Sequence, residues 1–438
     1  MQRKRLIYNT ALLTCSSLLM SCIGMAFQVW LVGRIGSAGI GLYQLSLSVT
    51  NLCATFAISG IRFATTRLIS EEIGYDNPVG ICAAMKRCLA YGALFGAAAT
   101  AVLWLLAEPI GFLWIGDART VMSLRLAAFS MPCVSLCSSL SGYFTACGRV
   151  WKPTLVHIFE QLLGIALVAV FLRLAPSGDI EKSCAAVTAG RLAADFTAMG
   201  LMFLAYRADR RCHYGAAAGG GELTARMLRI ALPLAVSAYA RSALTTFQHL
   251  LVPRGLKASG YSADGALSGY GTIQGMVLPI VLFPSCIMAA AAELIVPELT
   301  AAQVQRDAAG IRRASGALLR LSALFSVAVG AFMFIFADKL GLAVYRSADA
   351  GRFIRLLAPL IPVMYTDMTV DGCLKGLGQQ VWSMGINILD ALLGLLLVWT
   401  LLPSYALTAY IGIIYFTELL NFVFSLARLS RILRSGAF

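Results

Sequence analysis

The chain has 438 residues, of which 59% are hydrophobic and only 13% charged, against roughly a quarter charged in soluble domains. An ordinary soluble domain is excluded, because no soluble core could hide so much apolar surface. The formal charge of +14 does not point to nucleic acid either, since the basic residues are scattered between apolar runs and not gathered on one patch.

Twelve runs reach the roughly 20 mainly apolar residues that a spanning helix needs. In chain order they cover 6–32, 38–60, 88–108, 122–146, 154–175, 183–206, 228–252, 265–296, 315–337, 353–376, 383–402 and 405–427. They predict an all-α integral membrane protein of about 12 transmembrane helices. An even count places both termini on one face. With the N-terminus inside, basic residues such as Arg3, Lys4, Arg5, Arg149, Lys152, Arg210, Arg211, Arg312, Arg313, Arg428 and Arg431 fall in inside segments. The bias is roughly two to one, which by the positive-inside rule predicts cytoplasmic termini in a cell membrane.

The first run follows MQRKR, and Leu19-Met20-Ser21-Cys22 resembles a lipoprotein cleavage box. The run continues past Cys22 to Val32, longer than a signal core needs, so an uncleaved anchor is expected. Twelve cysteines are spread along the helices without a CxxC pair or histidines at zinc spacing, and they read as small packing residues. No phosphate-cradling glycine loop, nucleophile elbow or HExxH motif occurs, so neither an enzyme nor a metal or cofactor is expected.

An ungapped shift of 230 superposes the two halves. It matches Arg125 with Arg355, Pro132 with Pro362, Gly142 with Gly372, Gly148 with Gly378, Ile158 with Ile388 and Gly164 with Gly394. The same shift pairs Gly39, Gly41 and Gln44 with Gly269, Gly271 and Gln274. Helices one and seven agree at a shift of 220, Phe27-Gln28 and Arg34 answering Phe247-Gln248 and Arg254. Six helices separate the copies, so both enter the membrane in one direction and form parallel repeats. The expected organisation is an N-terminal six-helix lobe over 1–206, a cytoplasmic linker over 207–227 and a C-terminal lobe over 228–438.

Helix one carries Thr10, Thr14, Ser17, Ser21 and Gln28 on one face, and helix two Gln44, Ser48, Asn51, Thr55, Ser59 and Arg62. Helix seven does the same with Ser237, Arg241, Thr245 and Gln248. These stripes imply a water-filled cavity, or interhelical hydrogen bonding by small polar residues. Arg241 is the stronger signal, because a mid-helix cation costs roughly 3 kcal/mol or more on insertion scales and normally faces a cavity or partner. Among the acids, Asp195 can pair with Arg191 and Asp371 with Lys375, each at a spacing of four. Glu160 and Asp390 are repeat counterparts, read as joining neighbouring helices. Pro279 and Pro284 should bend helix eight, with Glu293 and Glu298 beyond the bend.

GYGTIQGMVLPIVLFPSCIMAAAAELIVPEL from Gly269 to Leu299 and RLLAPLIPVMYTDMTVDGCLKGLGQQVWSMGINILD from Arg355 to Asp390 carry a family resemblance. GIGLYQL at 39–45 and AISGIRFATTRLISEE at 57–72 extend it. The chain resembles the family of stage V sporulation protein B and related polysaccharide-biosynthesis flippases, within the multidrug, oligosaccharidyl-lipid and polysaccharide exporter (MOP) superfamily. The resemblance implies MATE-like V-shaped lobes that alternate access, and a possible role in sporulation. In related lipid II flippases cavity arginines engage the substrate's diphosphate, and that role is carried over to Arg62 and Arg241 alone. Longer relatives have two further C-terminal helices that help form a lipid-tail groove, and this chain stops after twelve, which weakens the claim to the same lipid.

Three functions follow in order. The first is a flippase for a lipid-linked saccharide, such as a cell-envelope or spore-cortex precursor, with Arg241, Arg62, Gln44, Asn51, Gln248 and Gln274 as cavity candidates. The second is a cation-coupled multidrug exporter, for which Asp367, Asp371 and Glu293 supply coupling or gating acids while helices one and two contain none. The third is a non-transporting scaffold for envelope assembly. The expected partners are the bilayer and an amphipathic substrate, not nucleic acid, and nothing in the sequence requires more than one copy.

Overall fold

The computed structural model describes residues 2–175, 179–209 and 220–435, and these are helical almost throughout. The long helices are α1 (Gln2–Ile58), α3 (Pro78–Pro109), α6 (Trp151–Leu174), α7 (Ile180–Asp209), α8 (Gly220–Ala258), α12 (Ala308–Tyr345) and α15 (Gln380–Ser435). Shorter ones complete the spans: α2 (Ile61–Gly74), α4 (Val121–Ala128), α5 (Met131–Ala146), α9 (Ala263–Gly271), α10 (Leu278–Leu282), α11 (Ser285–Val304), α13 (Ala348–Leu357) and α14 (Ile361–Gly376). Among the described residues, nine helices are long and apolar enough to cross a membrane, or ten counting the pair Ala118–Ala128 and Met131–Ala146, bent by 42°.

These helices cover eleven of the twelve expected runs. A straight helix the length of α1 would reach about 85 Å at 1.5 Å per residue, nearly three times a hydrocarbon core of about 30 Å. Its helical geometry breaks at Gly36, with φ 71° and ψ 178°, leaving two membrane lengths. In α15 the break falls at Ala406, three residues after Pro403. Expected helix eight is split, as its prolines predict. A π-turn at Thr272–Val277 leads into α10, and the chain turns at Phe283–Pro284 before α11. The seventh run lies in α8, which is outside the nine and carries Arg241 near its midpoint.

The 230-residue repeat reappears as local geometry. Asn77 caps α3 by accepting from the Gly80 amide at 3.0 Å, and Asp307 caps α12 by accepting from the Gly310 amide at 2.8 Å. Left-handed backbone recurs at Asp76 and Arg306, at Gly116 and Arg346, and at Gly148 and Gly378. Arg125 pairs with Glu108 at 2.7 Å, and their counterparts Arg355 and Asp338 pair at 2.5 Å. A Cβ on Gly142 would meet the Arg62 carbonyl at 2.7 Å, and one on Gly372 the Ala292 carbonyl at 3.0 Å. Composition alone produces leucine matches, but it does not produce the same caps and ion pairs at one offset.

Packing groups the chain into two compact units that do not follow the repeat boundary. The first comprises Met1–Ser16 and Leu45–Thr246, the second Ser17–Gln44 and Phe247–Phe438. Both α1 and α8 are long enough to supply residues to each. Of the expected linker at 207–227, residues 210–219 fall outside the described residues, while 207–209 end α7 and 220–227 open α8. The first unit has a core of Leu68, Met85, Cys88, Leu140, Tyr143, Phe144 and Met202, to which α8 adds Met227 and Ala231. In the second, Leu299, Ile311, Val370, Cys373 and Leu374 are buried together with Leu429. Large apolar side chains such as Leu105, Leu324, Ile335 and Trp399 are exposed on the outside, as lipid contact requires.

Candidate functional site

Each unit holds a polar cavity beside a broken helix. In the first, the break is at Ser59 and Gly60, both left-handed with φ 43° and 70°. Gly60 is obligatory here, since a Cβ would lie 2.6 Å from the Ala231 carbonyl of α8. Two tyrosines satisfy the polar groups the break frees. Tyr239 on α8 donates to Ser59 Oγ at 2.6 Å, and Tyr91 on α3 lies 2.8 Å from the same oxygen. The turn delivers Arg62, exposed on the first turn of α2, to a cavity of about 200 Å³ shared with Cys137, Ser141, His157, Glu160 and Asp195. His157 Nδ1 and Glu160 Oε2 are 3.2 Å apart, and Glu160 and Asp195 lie within electrostatic range of each other. Arg191 lies within electrostatic range of Asp195. Arg191 is thus the opposite charge expected beside Asp195, while Glu160 brings a second carboxylate from α6 close to that acid of α7.

Arg241 is exposed on α8 and, among the described residues, its guanidinium has no hydrogen bond or ion pair. Its backbone carbonyl accepts from Thr245 Oγ1 at 3.0 Å. Asn51 is likewise exposed, while Thr55 below it bonds Ser242 on α8 at 3.3 Å. The side chains of Thr10, Thr14 and Ser237 lie outside the described residues.

In the second unit a groove of about 450 Å³ opens beside the Phe283–Pro284 break. Ser21, Gln28 and Gln44 from α1 line it, with Phe283, Ser285 and Glu293 from the other side. Four residues of the stripes read on helices one and two, Ser17, Ser21, Gln28 and Gln44, thus converge here with an acid of helix eight. Gln248 and Gln274 point to other neighbours. A Cβ on Gly394 would touch the Gln248 amide at 2.8 Å, and Gln274 donates to the Tyr410 hydroxyl. Their counterparts Gln28 and Gln44 line the groove, so equivalent positions in the repeat have different surroundings.

The second unit also carries a buried acid with three half-buried acids near it. Asp367 is 9% exposed, its Oδ2 accepts from Asn421 Nδ2 at 3.1 Å, and its buried Oδ1 has no hydrogen-bond partner among the described residues. Asp371 and Asp390 lie within electrostatic range of it, as does Glu418. Asp371 is paired with Lys375 at 2.6 Å, as the spacing predicts, and accepts from Ser383 at 2.6 Å. Glu418 and Asn421 escaped the sequence reading because neither belongs to a local motif. A lone acid in the last span was the available signal.

Solved structures share this fold. The chain superposes with a TM-score of 0.72, at 15% identity over 95% of its length and 96% of the other's, on a multidrug resistance MATE family transporter of the MOP superfamily in its inward-facing conformation. A MOP superfamily transporter from Pyrococcus furiosus, described as having a binding pocket of reverse polarity, gives 0.65 at 13% identity over 97% and 96%. Among curated sequences, stage V sporulation protein B of Bacillus subtilis is 22% identical over 92% of this chain and 79% of its own length. Sporulation protein YkvU of the same organism is 20% identical over 86% of each. The MatE family model matches residues 13–170 and 256–400, which is more than half of the chain. With apolar helices throughout, it belongs to the MatE family and is a multi-pass membrane transporter.

Proposed function

We propose that the chain is a flippase that moves a lipid-linked saccharide across the cell membrane, with both termini on the cytoplasmic side. The observation that carries the reading is Arg241. A cation near the midpoint of a spanning helix is costly unless it meets water or an opposite charge, and this one has no acidic partner among the described residues. Its planar fork matches a diphosphate in bidentate geometry. Arg62 is the weaker candidate for the same role, because Glu160 and Asp195 share its cavity and offset its charge. The fold shared with solved MATE transporters supports transport over a scaffold role.

Cation coupling fits the same transporter. Asp367, with its unsatisfied oxygen and three neighbouring acids, is the residue we assign to it, while Asp371 is neutralised by Lys375. The test is transport in proteoliposomes of the full chain, comparing a fluorescent polyprenyl diphosphate saccharide with rhodamine 6G. Flipping of the lipid without accumulation of the dye supports the flippase. Dye transport alone would make the chain a multidrug exporter, and movement of neither would leave the scaffold.

A further inference from the structure

The groove of the second unit has a polarity that follows from where its hydrogen atoms go. Gln28 Nε2 donates to the Gly275 carbonyl at 2.8 Å. Gly275 lies in the π-turn Thr272–Val277, where the altered ladder leaves carbonyls in need of donors. Ser21 Oγ donates to the Ser17 carbonyl at 2.9 Å, and Ser285 Oγ to the Leu282 carbonyl at 2.7 Å beside the helix break. Each of these three side chains has spent one donor on backbone and keeps an acceptor oxygen, and Gln28 also keeps its second N–H. Glu293 adds two carboxylate oxygens, is exposed, and has no ion pair or hydrogen bond among the described residues. No lysine or arginine lines the groove among the described residues.

An acceptor-rich groove with one negative charge rejects a phosphate, which brings only acceptors and charge of the same sign. It suits a ligand rich in hydroxyl donors. Leu282, Phe283 and Met25 supply an apolar wall, against which the C–H face of a sugar ring can pack. The volume, about 450 Å³, is within the roughly 300–1,000 Å³ typical of small-molecule sites.

We propose that this groove binds the glycosyl part of the substrate through its hydroxyl donors, with Glu293 and Gln28 as the sugar-selecting residues. The inference rests on the lipid-linked saccharide reading above. It assigns the uncharged portion of the headgroup to a site without cations, and it gives Glu293 a recognition role in place of coupling or gating. A carboxylate or amide oxygen accepts a hydroxyl hydrogen equally in geometry, so charge is not the requirement and an acceptor is.

Two measurements test it, both on the intact chain. Cys286 lines the groove and is half-buried, so its modification by N-ethylmaleimide, read by mass spectrometry of its peptide, reports occupancy. Free chitobiose at millimolar concentration should slow that modification several-fold in wild type and not in Glu293→Ala. Glu293→Gln, which keeps an acceptor oxygen and loses the charge, should retain most of the protection. In proteoliposomes, Glu293→Ala should lower flipping of polyprenyl diphosphate N-acetylglucosamine about tenfold, the scale of one lost hydrogen bond to a charged group. Flipping of polyprenyl diphosphate without sugar should stay within about twofold, the factor expected where no such bond is lost. Equal loss for both lipids, no loss for either, or loss of protection in Glu293→Gln would overturn the proposal, the last by making the groove a cation site. Protection of Cys286 with no lipid flipped would leave the sugar site standing and refute the flippase. Flipping with neither protection nor an effect of Glu293→Ala would do the reverse.

Discussion

The tightest helix crossing in the second unit is made by repeat counterparts facing each other, and it yields a prediction with a definite sign. A Cβ on Gly41 of α1 would lie 2.2 Å from the Leu267 carbonyl oxygen of α9, and a Cβ on Gly271 2.2 Å from the Ser37 carbonyl oxygen. Residues 37 and 267 are themselves related by the 230 shift, so the two contacts mirror one another. The Ser37 and Ser268 hydroxyls bond across the same crossing at 2.7 Å. A carbon and a carbonyl oxygen settle at about 3.3 Å or more. Gly41→Ala therefore forces the helices apart by about 1 Å, breaking that hydroxyl bond and opening the packing around Ile40 and Ile273. Overpacking of this kind costs about 1–3 kcal/mol, opposed by up to about 1 kcal/mol of improved helix propensity. Thermal unfolding of the detergent-purified protein should show a midpoint lower by roughly 2–6 °C. The double variant with Gly271→Ala should cost less than the sum of the two, because one separation relieves both clashes. Gly316→Ala in α12, where a Cβ would meet nothing within 4 Å, should hold or raise the midpoint. If Gly41→Ala is as stable as Gly316→Ala, the close approach is not what holds this crossing together.

Arg241→Ala should reduce flipping of a polyprenyl diphosphate saccharide about 10–100-fold at equal membrane abundance, with Arg241→Lys intermediate because an ammonium cannot reproduce the fork; wild-type transport by Arg241→Ala would remove this residue from the site. Asp367→Asn keeps the shape that accepts from Asn421 and should abolish any stimulation of transport by a sodium or proton gradient, measured by imposing each gradient across the vesicle; undiminished stimulation would move coupling elsewhere. Single cysteines placed beside Arg149 and Arg312 should react with impermeant maleimide only after the membrane is opened, and labelling of intact cells there would reverse the proposed orientation. Breaking the exposed pair Arg125–Glu108 by Arg125→Ala should change stability by no more than about 1 kcal/mol, read as a shift of the unfolding midpoint.

How much of this was legible in the sequence depends on the range of the interaction. Spanning helices are set by consecutive apolar residues, so their positions could be read locally, as could the proline break of helix eight and the Asp371–Lys375 pair. The repeat was readable through Pro132, Gly142, Gly148 and their counterparts because those residues serve backbone geometry, which tolerates few substitutes. Stripes on single helices were readable as stripes, but not what they face. Gln28 and Gln248 occupy equivalent positions, yet one lines the groove and the other packs on Gly394. The left-handed pair Ser59–Gly60 was legible only as a small-residue step, since its stability comes from Tyr91 and Tyr239, 32 and 180 residues away. Glu418 and Asn421 approach Asp367 only through the packing of α15, which no local pattern encodes.

The two cavities share a physical origin in broken helices. Inside a bilayer an interrupted helix exposes backbone groups that lipid cannot satisfy, so each break must recruit polar side chains. At Ser59–Gly60 the recruits are tyrosine hydroxyls and the serine itself; at Phe283–Pro284 and the π-turn before it they are Ser285 and Gln28. Each recruit brings more hydrogen-bonding capacity than the backbone consumes, and the surplus faces the cavity. In the second unit part of the donor capacity is spent on backbone and acceptors predominate, with Glu293 adding two, which is why the groove suits hydroxyls. In the first, the break instead presents Arg62, and the surplus is cationic until Glu160 and Asp195 offset it. The sign of each cavity therefore follows from which atoms the break spends, and a change at a recruit, Ser285→Ala or Gln28→Leu, should disturb the helix break and ligand preference together.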